Sequence, residues 1–250
     1  MAGGTRGAGR PVRRSRWTTL ERVLRQTGGP LIAGVDEVGR GSLAGPVVAC
    51  AIVMPPDVRA LRGVDDSKAL PPPERRRLAH LILDRAVAVG IGAASVAEID
   101  RLNIYHASVL AMRRALQQLR VTPDHILVDG LPIRTLDVAH TAVVNGDDKC
   151  YSIACASIVA KVTRDRLMAA LAQRHPRYAW DRNCGYATAA HAAALRAHGV
   201  SVHHRRGFVQ KIVASCQSPV ARTESPTHLS TVMRSPADSR SAAGERSTGN

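Results

Sequence analysis

Three apolar runs in this chain each stop at an acid close to a glycine, and that recurrence constrains the fold more than any other feature. Leu31 to Val35 runs into Asp36-Glu37-Val38-Gly39-Arg40-Gly41, Ile126 to Val128 into Asp129-Gly130, and Ala142 to Val144 into Asn145-Gly146-Asp147. Each run has the length of a buried strand and is too short for a helix. Strand ends are where α/β sheets collect functional groups, so three acid-bearing ends predict one shared site. Neighbouring strand residues point to opposite faces, so Asp36 and Glu37 serve one site only if the backbone leaves strand geometry at Glu37. Gly39 and Gly41 permit such a departure.

The remaining pattern completes an α/β reading. Leu31–Val35, Pro46–Val53 and Ala86–Ala94 are expected as three consecutive strands. Ser95-Val96-Ala97-Glu98 is a capping box, and Ile99, Leu102, Val109, Met112, Leu116 and Leu119 then recur at helical spacing until Pro123. Two strands follow, His125–Val128 and Thr141–Val144, then a small-residue helix over Tyr151–Gln173 and another over Thr188–His198. No internal repeat is present. The expected division is a basic flexible arm over 1–29, a catalytic domain over 30–214 and a disordered tail over 215–250. From Gln217 onward, 14 of 34 residues are Ser, Thr or Pro and the few apolar ones show no period.

Charge narrows the class of partner. Lys and Arg number 35 against 20 Asp and Glu, a net +15. Five arginines lie in the first 16 residues, and the tail holds four arginines against three acids, so most of the excess belongs to the expected domain. A polyanion fits that balance better than a small acidic molecule does. The five cysteines form no C-x-x-C pair, which argues against a zinc or redox site and for reduced thiols inside the cell. Cys184-x6-His191-x6-His198 likewise matches no usual zinc spacing. The longest uncharged stretch, Gly41 to Pro56, falls short of the ~20 apolar residues that span a bilayer, so no membrane association is expected.

Clustered carboxylates repel, and hard divalent cations with oxygen ligands hold them together ionised. In a basic chain this points to Mg²⁺ or Mn²⁺ and phosphodiester chemistry, in which two ions roughly 4 Å apart activate water and stabilise the leaving oxygen. The bland alternative is a set of turn caps, the usual fate of a lone strand-end Asp.

These residues resemble a family. Gly34-Val35-Asp36-Glu37-Val38-Gly39-Arg40-Gly41, Asp66-Ser67-Lys68, Glu98 to Asn103, Val128-Asp129-Gly130, Gly146-Asp147, Ala156 to Asp165, Gly185-Tyr186 and His203-His204-Arg205-Arg206 resemble ribonuclease HII, in order, over about residues 30–210. The resemblance implies an RNase H-like fold, a mixed central sheet flanked by helices. It implies metal binding and catalysis by Asp36, Glu37, Asp129 and Asp147, with Mn²⁺ or Mg²⁺. It also implies that Gly39, Arg40 and Gly41 grip the ribonucleotide beside a ribo-to-deoxyribo junction while Tyr186 stacks on the following sugar. Backbone amides freed by glycine can reach the 2′-hydroxyl, the group that tells RNA from DNA. The expected substrates are RNA–DNA hybrids and duplex DNA carrying single ribonucleotides, cut by a monomer in the cytoplasm during ribonucleotide excision repair.

Lys161 is a candidate phosphate contact, although Asp165 four residues on offers it an ion pair instead. Tyr186 reads equally as a half-buried core residue. His203 to Arg206 offers either a backbone-binding face or a solvated basic surface. The family usually has a lysine before Gly-Tyr, where this chain has Cys184, and Asp148 competes with Asp147 for the fourth acid. Ribonuclease HIII shares the paired acids but is expected to lack Gly-Arg-Gly and to carry an N-terminal domain for which residues 1–29 are too few. A non-catalytic nucleic-acid-binding module explains the charge but not the acids. A dinucleotide-binding enzyme fails on the glycine spacing of Gly39-x-Gly41-x3-Gly45.

Overall fold

Val47–Val53 (β2) is apolar and buried at all seven positions, as a strand covered on both faces must be. It lies in a five-stranded sheet ordered β3-β2-β1-β4-β5, with β1 spanning Ile32–Val38, β3 Ala88–Ala94, β4 His125–Asp129 and β5 Thr141–Val143. The β1–β2 and β2–β3 pairs are antiparallel, whereas β1–β4 and β4–β5 are parallel, so the sheet is mixed. The structure, a computed structural model, describes residues 18–57, 59–64 and 70–214. The expected arm before residue 18, the tail from 215, Asp66-Ser67-Lys68 and Cys216 lie outside the described residues.

One face of the sheet packs on α3 (Val96–Gln117). There Val35, Val47, Ala49, Ala51 and Val128 meet Ile99, Ala107, Ala111, Met112 and Ala115. Ser95 and Glu98 cap the helix reciprocally, the Ser95 amide donating to Glu98 Oε2 at 2.8 Å. The single long helix expected here is broken at Asn103, whose φ of 70° and ψ of 168° are not helical. Its side-chain oxygen accepts from the amides of Tyr105 and His106 at 2.9 and 3.2 Å, so Asn103 caps the second segment.

The opposite face is covered by α5 (Tyr151–Arg174), with Cys50 and Ile52 of β2 against Cys155, Ala156, Ile158, Val159 and Ala160. Against α5 packs α2 (Pro72–Arg85), through Leu78, Ala79 and Ile82. From sequence, β3 is expected to follow β2 with no helix between them, so α2 is a correction. Pro72 and Pro73 look like breakers, yet at the first turn of a helix proline gives up no needed hydrogen bond.

Residues 19–28, assigned from sequence to the arm, form α1 (Thr19–Gly28). What orders them is Glu21, which is fully buried. Its carboxylate accepts from the amides of Tyr151 and Ser152 at 3.1 and 2.8 Å, supplying the negative charge that the N-terminus of α5 favours. The remaining helices are α4 (Gly146–Lys149), α6 (Trp180–Asn183), α7 (Ala189–His198) and α8 (Arg206–Ala214). Among the described residues, no helix is long and apolar enough to cross a membrane.

Candidate active site

The parallel pairing of the two central strands places the first two acids. Val35 of β1 is paired with Val128 of β4, so Asp36 and Asp129 are the next residues at neighbouring strand ends. Both valines face α3, and alternation turns Asp36 and Asp129 to the α5 side. From α5, Ser157 hydrogen-bonds the Asp36 carboxylate. Glu37 follows the opposite parity. The ladder runs on through Glu37↔Ala49 and Val38↔Val48, so the departure from strand geometry comes two residues later than expected, at Gly39 with φ +93°.

Electrostatics still couples these groups. Burial pushes the Asp36 carboxyl well above its ordinary range, and repulsion from Glu37 and Asp129 pushes it further, against the Ser157 hydrogen bond. Burial also raises Glu37, partly offset by Arg40, whose Nη1 donates to Glu37 Oε1 at 2.9 Å. Asp129 Oδ1 accepts from the Gly146 amide at 2.6 Å, which ties the start of α4 to the end of β4. Asp147 follows directly and is buried whereas Asp148 is exposed, which favours Asp147 as the fourth acid.

Among the described residues, no three His, Cys, Asp or Glu side chains are grouped closely enough to hold one metal ion. Glu37 is drawn to Arg40 and Asp129 to the Gly146 amide. The donor chemistry nonetheless suits a divalent cation. Buried carboxylate oxygens that destabilise one another form a hard ligand set whose repulsion a cation relieves.

The candidate substrate-reading residues are brought together. Leu43 and Ala44 donate their amides to the carbonyl of Gly185 at 2.8 and 3.3 Å, joining the loop that carries Gly39, Arg40 and Gly41 to the turn that carries Tyr186. Arg40 and Gly41 are exposed, and Tyr186 is half-buried with Lys161 Nζ 5.9 Å and the Arg164 guanidinium 5.4 Å from its ring centre. Lys161 also pairs with Asp165, the alternative its spacing allowed. Cys184 is half-buried in a left-handed turn with φ +49°.

His203 to Arg206 does not form a continuous basic face. His204 and Arg205 are buried, and Arg206 alone of the four is exposed. The Arg205 guanidinium donates to the carbonyls of Arg40 and Gly45, so a stretch read for its charge instead fastens the glycine loop. His204 and His191 join through their Nε2 atoms at 3.1 Å, and His191 Nδ1 lies 2.9 Å from the Tyr186 carbonyl. Sequence reasoning missed Ser157, Arg164, His191 and Arg205 as supports. Ser157, Arg164 and Arg205 lie within the stretches that carry the family resemblance, but their support roles show only as polarity inside otherwise apolar or aromatic surroundings.

Comparison with known proteins agrees with this layout. The family model described as Ribonuclease HII matches residues 33–211. A ribonuclease HII of Granulibacter bethesdensis is 55% identical over 192 residues, covering 75% of this chain and 87% of that protein. Among solved structures, ribonuclease H2 from Pyrococcus horikoshii OT3 superposes with a TM-score of 0.62 at 26% identity, over 76% of this chain and all of the other. The Bst-RNase HIII structure in complex with Mn²⁺ shares the fold at a TM-score of 0.56 and 20% identity, over 86% of this chain and 77% of the other. The mixed sheet is therefore that of the RNase H-like fold, which the Bst-RNase HIII structure shares. Since the matched span runs from β1, which carries Asp36 and Glu37, to the loop and helix that follow Tyr186, this chain belongs to the ribonuclease HII family.

Proposed function

We propose that this chain is an endoribonuclease that cuts the RNA strand of RNA–DNA hybrids and cuts 5′ to single ribonucleotides in duplex DNA, leaving 3′-hydroxyl and 5′-phosphate ends. The observation that carries the reading is the register-matched placement of Asp36 and Asp129 on adjoining parallel strand ends, with Glu37 electrostatically coupled to both. Asp36, Glu37, Asp129 and Asp147 would hold Mn²⁺ or Mg²⁺. When bound, such an ion activates the attacking water and stabilises the departing 3′ oxygen.

The chain's own residues do the rest. Ser157 orients the Asp36 carboxylate, and the Gly146 amide orients Asp129. Gly39 to Gly41 present amides to the 2′-hydroxyl. Arg40, exposed beside Glu37, meets the neighbouring phosphate, Tyr186 stacks on the following sugar, and Lys161 is the further phosphate contact. The protein acts as a monomer, in the cytoplasm, in the removal of ribonucleotides from DNA.

The test is incubation of purified protein with a labelled RNA–DNA hybrid. Cleavage with Mn²⁺ or Mg²⁺, its loss in chelator and its loss in Asp129→Asn support the reading. Full activity in Asp129→Asn, or no cleavage with either metal, refutes it.

A further inference from the structure

Two guanidinium groups are sealed beneath the glycine loop, and among the described residues neither forms a salt bridge. Arg164 and Arg205 are both fully buried. Arg164 spends its donors on main-chain carbonyls alone: Nε on Pro46 at 2.9 Å, Nη2 on Ala44 at 3.1 Å and Nη1 on Cys184 at 2.9 Å. Burying a cation without a counter-ion is expensive even when its hydrogen bonds are made, so its place here calls for a role beyond filling the core.

The geometry around Arg164 suggests what it does. Pro46 and Ala44 belong to the loop that follows Gly39, and Cys184 lies two residues before Tyr186. A Cβ added at Gly39 would sit 2.1 Å from Arg164 Nε, so the positive-φ turn just after Asp36 and Glu37 rests directly on the guanidinium. The guanidinium carbon also lies 5.4 Å from the Tyr186 ring centre. One planar group thus touches both ribonucleotide-reading elements, and a fork with fixed donor angles holds three carbonyls in register as a lysine cannot. Arg205 differs: its side-chain hydrogen bonds go to Arg40 and Gly45 of the glycine loop, whereas those of Arg164 span from that loop to Cys184.

We propose that Arg164 is a positioning residue that locks the Gly39 turn to the Tyr186 turn and so sets the preference for a ribo-to-deoxyribo junction. The inference rests on the proposed roles of Gly39 to Gly41 and Tyr186. A displacement of about 1 Å between groups that must act together costs on the order of 100-fold in rate, so loosening this link falls hardest on the substrate that needs both readers.

The experiment compares kcat/KM on duplex DNA with one ribonucleotide and on a uniform RNA–DNA hybrid, for wild type, Arg164→Lys, Tyr186→Ala and the double variant, each checked by thermal melting. Arg164→Lys is expected to lose about 10- to 100-fold on the single-ribonucleotide duplex and much less on the hybrid, and the double variant to be no worse than Tyr186→Ala alone. Equal losses on both substrates, or losses that multiply in the double variant, overturn the proposal. Arg205→Lys, which removes hydrogen bonds to the glycine loop and none to the tyrosine turn, is expected to lower both activities alike; a junction-selective loss there counts against a special role for Arg164. Should Arg164→Lys melt below the assay temperature, Gly185→Ala takes its place. Its added Cβ meets the Ala44 carbonyl oxygen at 2.6 Å and forces the same two loops apart with Arg164 intact, so it should show the same selective loss, and an unchanged substrate ratio overturns the proposal. Wild-type protein that cuts neither substrate overturns the nuclease reading itself, whereas wild type cutting both beside a non-selective variant overturns only the role of Arg164.

Discussion

At the scale of single residues, the role proposed for Asp36 sets activity against stability. Asp36 is buried, raised and repelled by Glu37 and Asp129, so its ionised form destabilises the metal-free fold. Asp36→Asn is expected to reduce cleavage by more than about 100-fold while melting about 2–4 °C above wild type without divalent ions, since about 1 kcal/mol shifts a chain of this size by that much. A large fall in melting temperature contradicts this. His204 makes a second prediction. Burial, with His191 and His203 adding to it, lowers its pKa from 6.5 to about 4, so the folded form keeps it neutral where the unfolded chain takes up a proton. Its contribution is therefore present above pH 6.5 and lost as pH falls from 6.5 towards 4. Urea unfolding at stepped pH should show that decline, and His204→Gln should flatten it. The acids were legible in the sequence because each interrupts an apolar run. The parity of Glu37 was not, because where a strand ends depends on its partner β2, and sequence offered both Gly39 and Gly41 as places where the chain could turn.

At the scale of elements, strands were easier to read than helices. β2 and β4 announce themselves by continuous apolar runs, because strands covered on both faces need them. The break in α3 is hidden because Asn103 is ordinary in a helical pattern until its side chain is seen capping Tyr105 and His106. α2 escaped because its start is proline. α1 escaped because its order comes from a contact 130 residues away in sequence, the Glu21 carboxylate on the Tyr151 amide. Glu21→Ala leaves the amides of Tyr151 and Ser152 buried without an acceptor, which should cost about 3 kcal/mol, as hydrogen bonds to charged groups do. Chemical denaturation measures it. A loss below about 0.5 kcal/mol would show that α1 and α5 do not depend on this cap.

At the scale of the whole molecule, a mixed sheet delivers acids from its central strands and buried arginines fix the loops beside them. In the proposed reading, basic charge draws a polyanion and the strand-end acids hold the metal. The most direct measurement is nick mapping on a labelled duplex with one ribonucleotide, run with Mn²⁺ or Mg²⁺. One cut is expected immediately 5′ to the ribonucleotide, with 3′-hydroxyl and 5′-phosphate ends, and no cut in the all-DNA duplex. Cleavage 3′ to the ribonucleotide, cleavage of the all-DNA duplex at equal rate, or no cleavage with either ion would contradict a metal-dependent ribonuclease built on these strand-end acids.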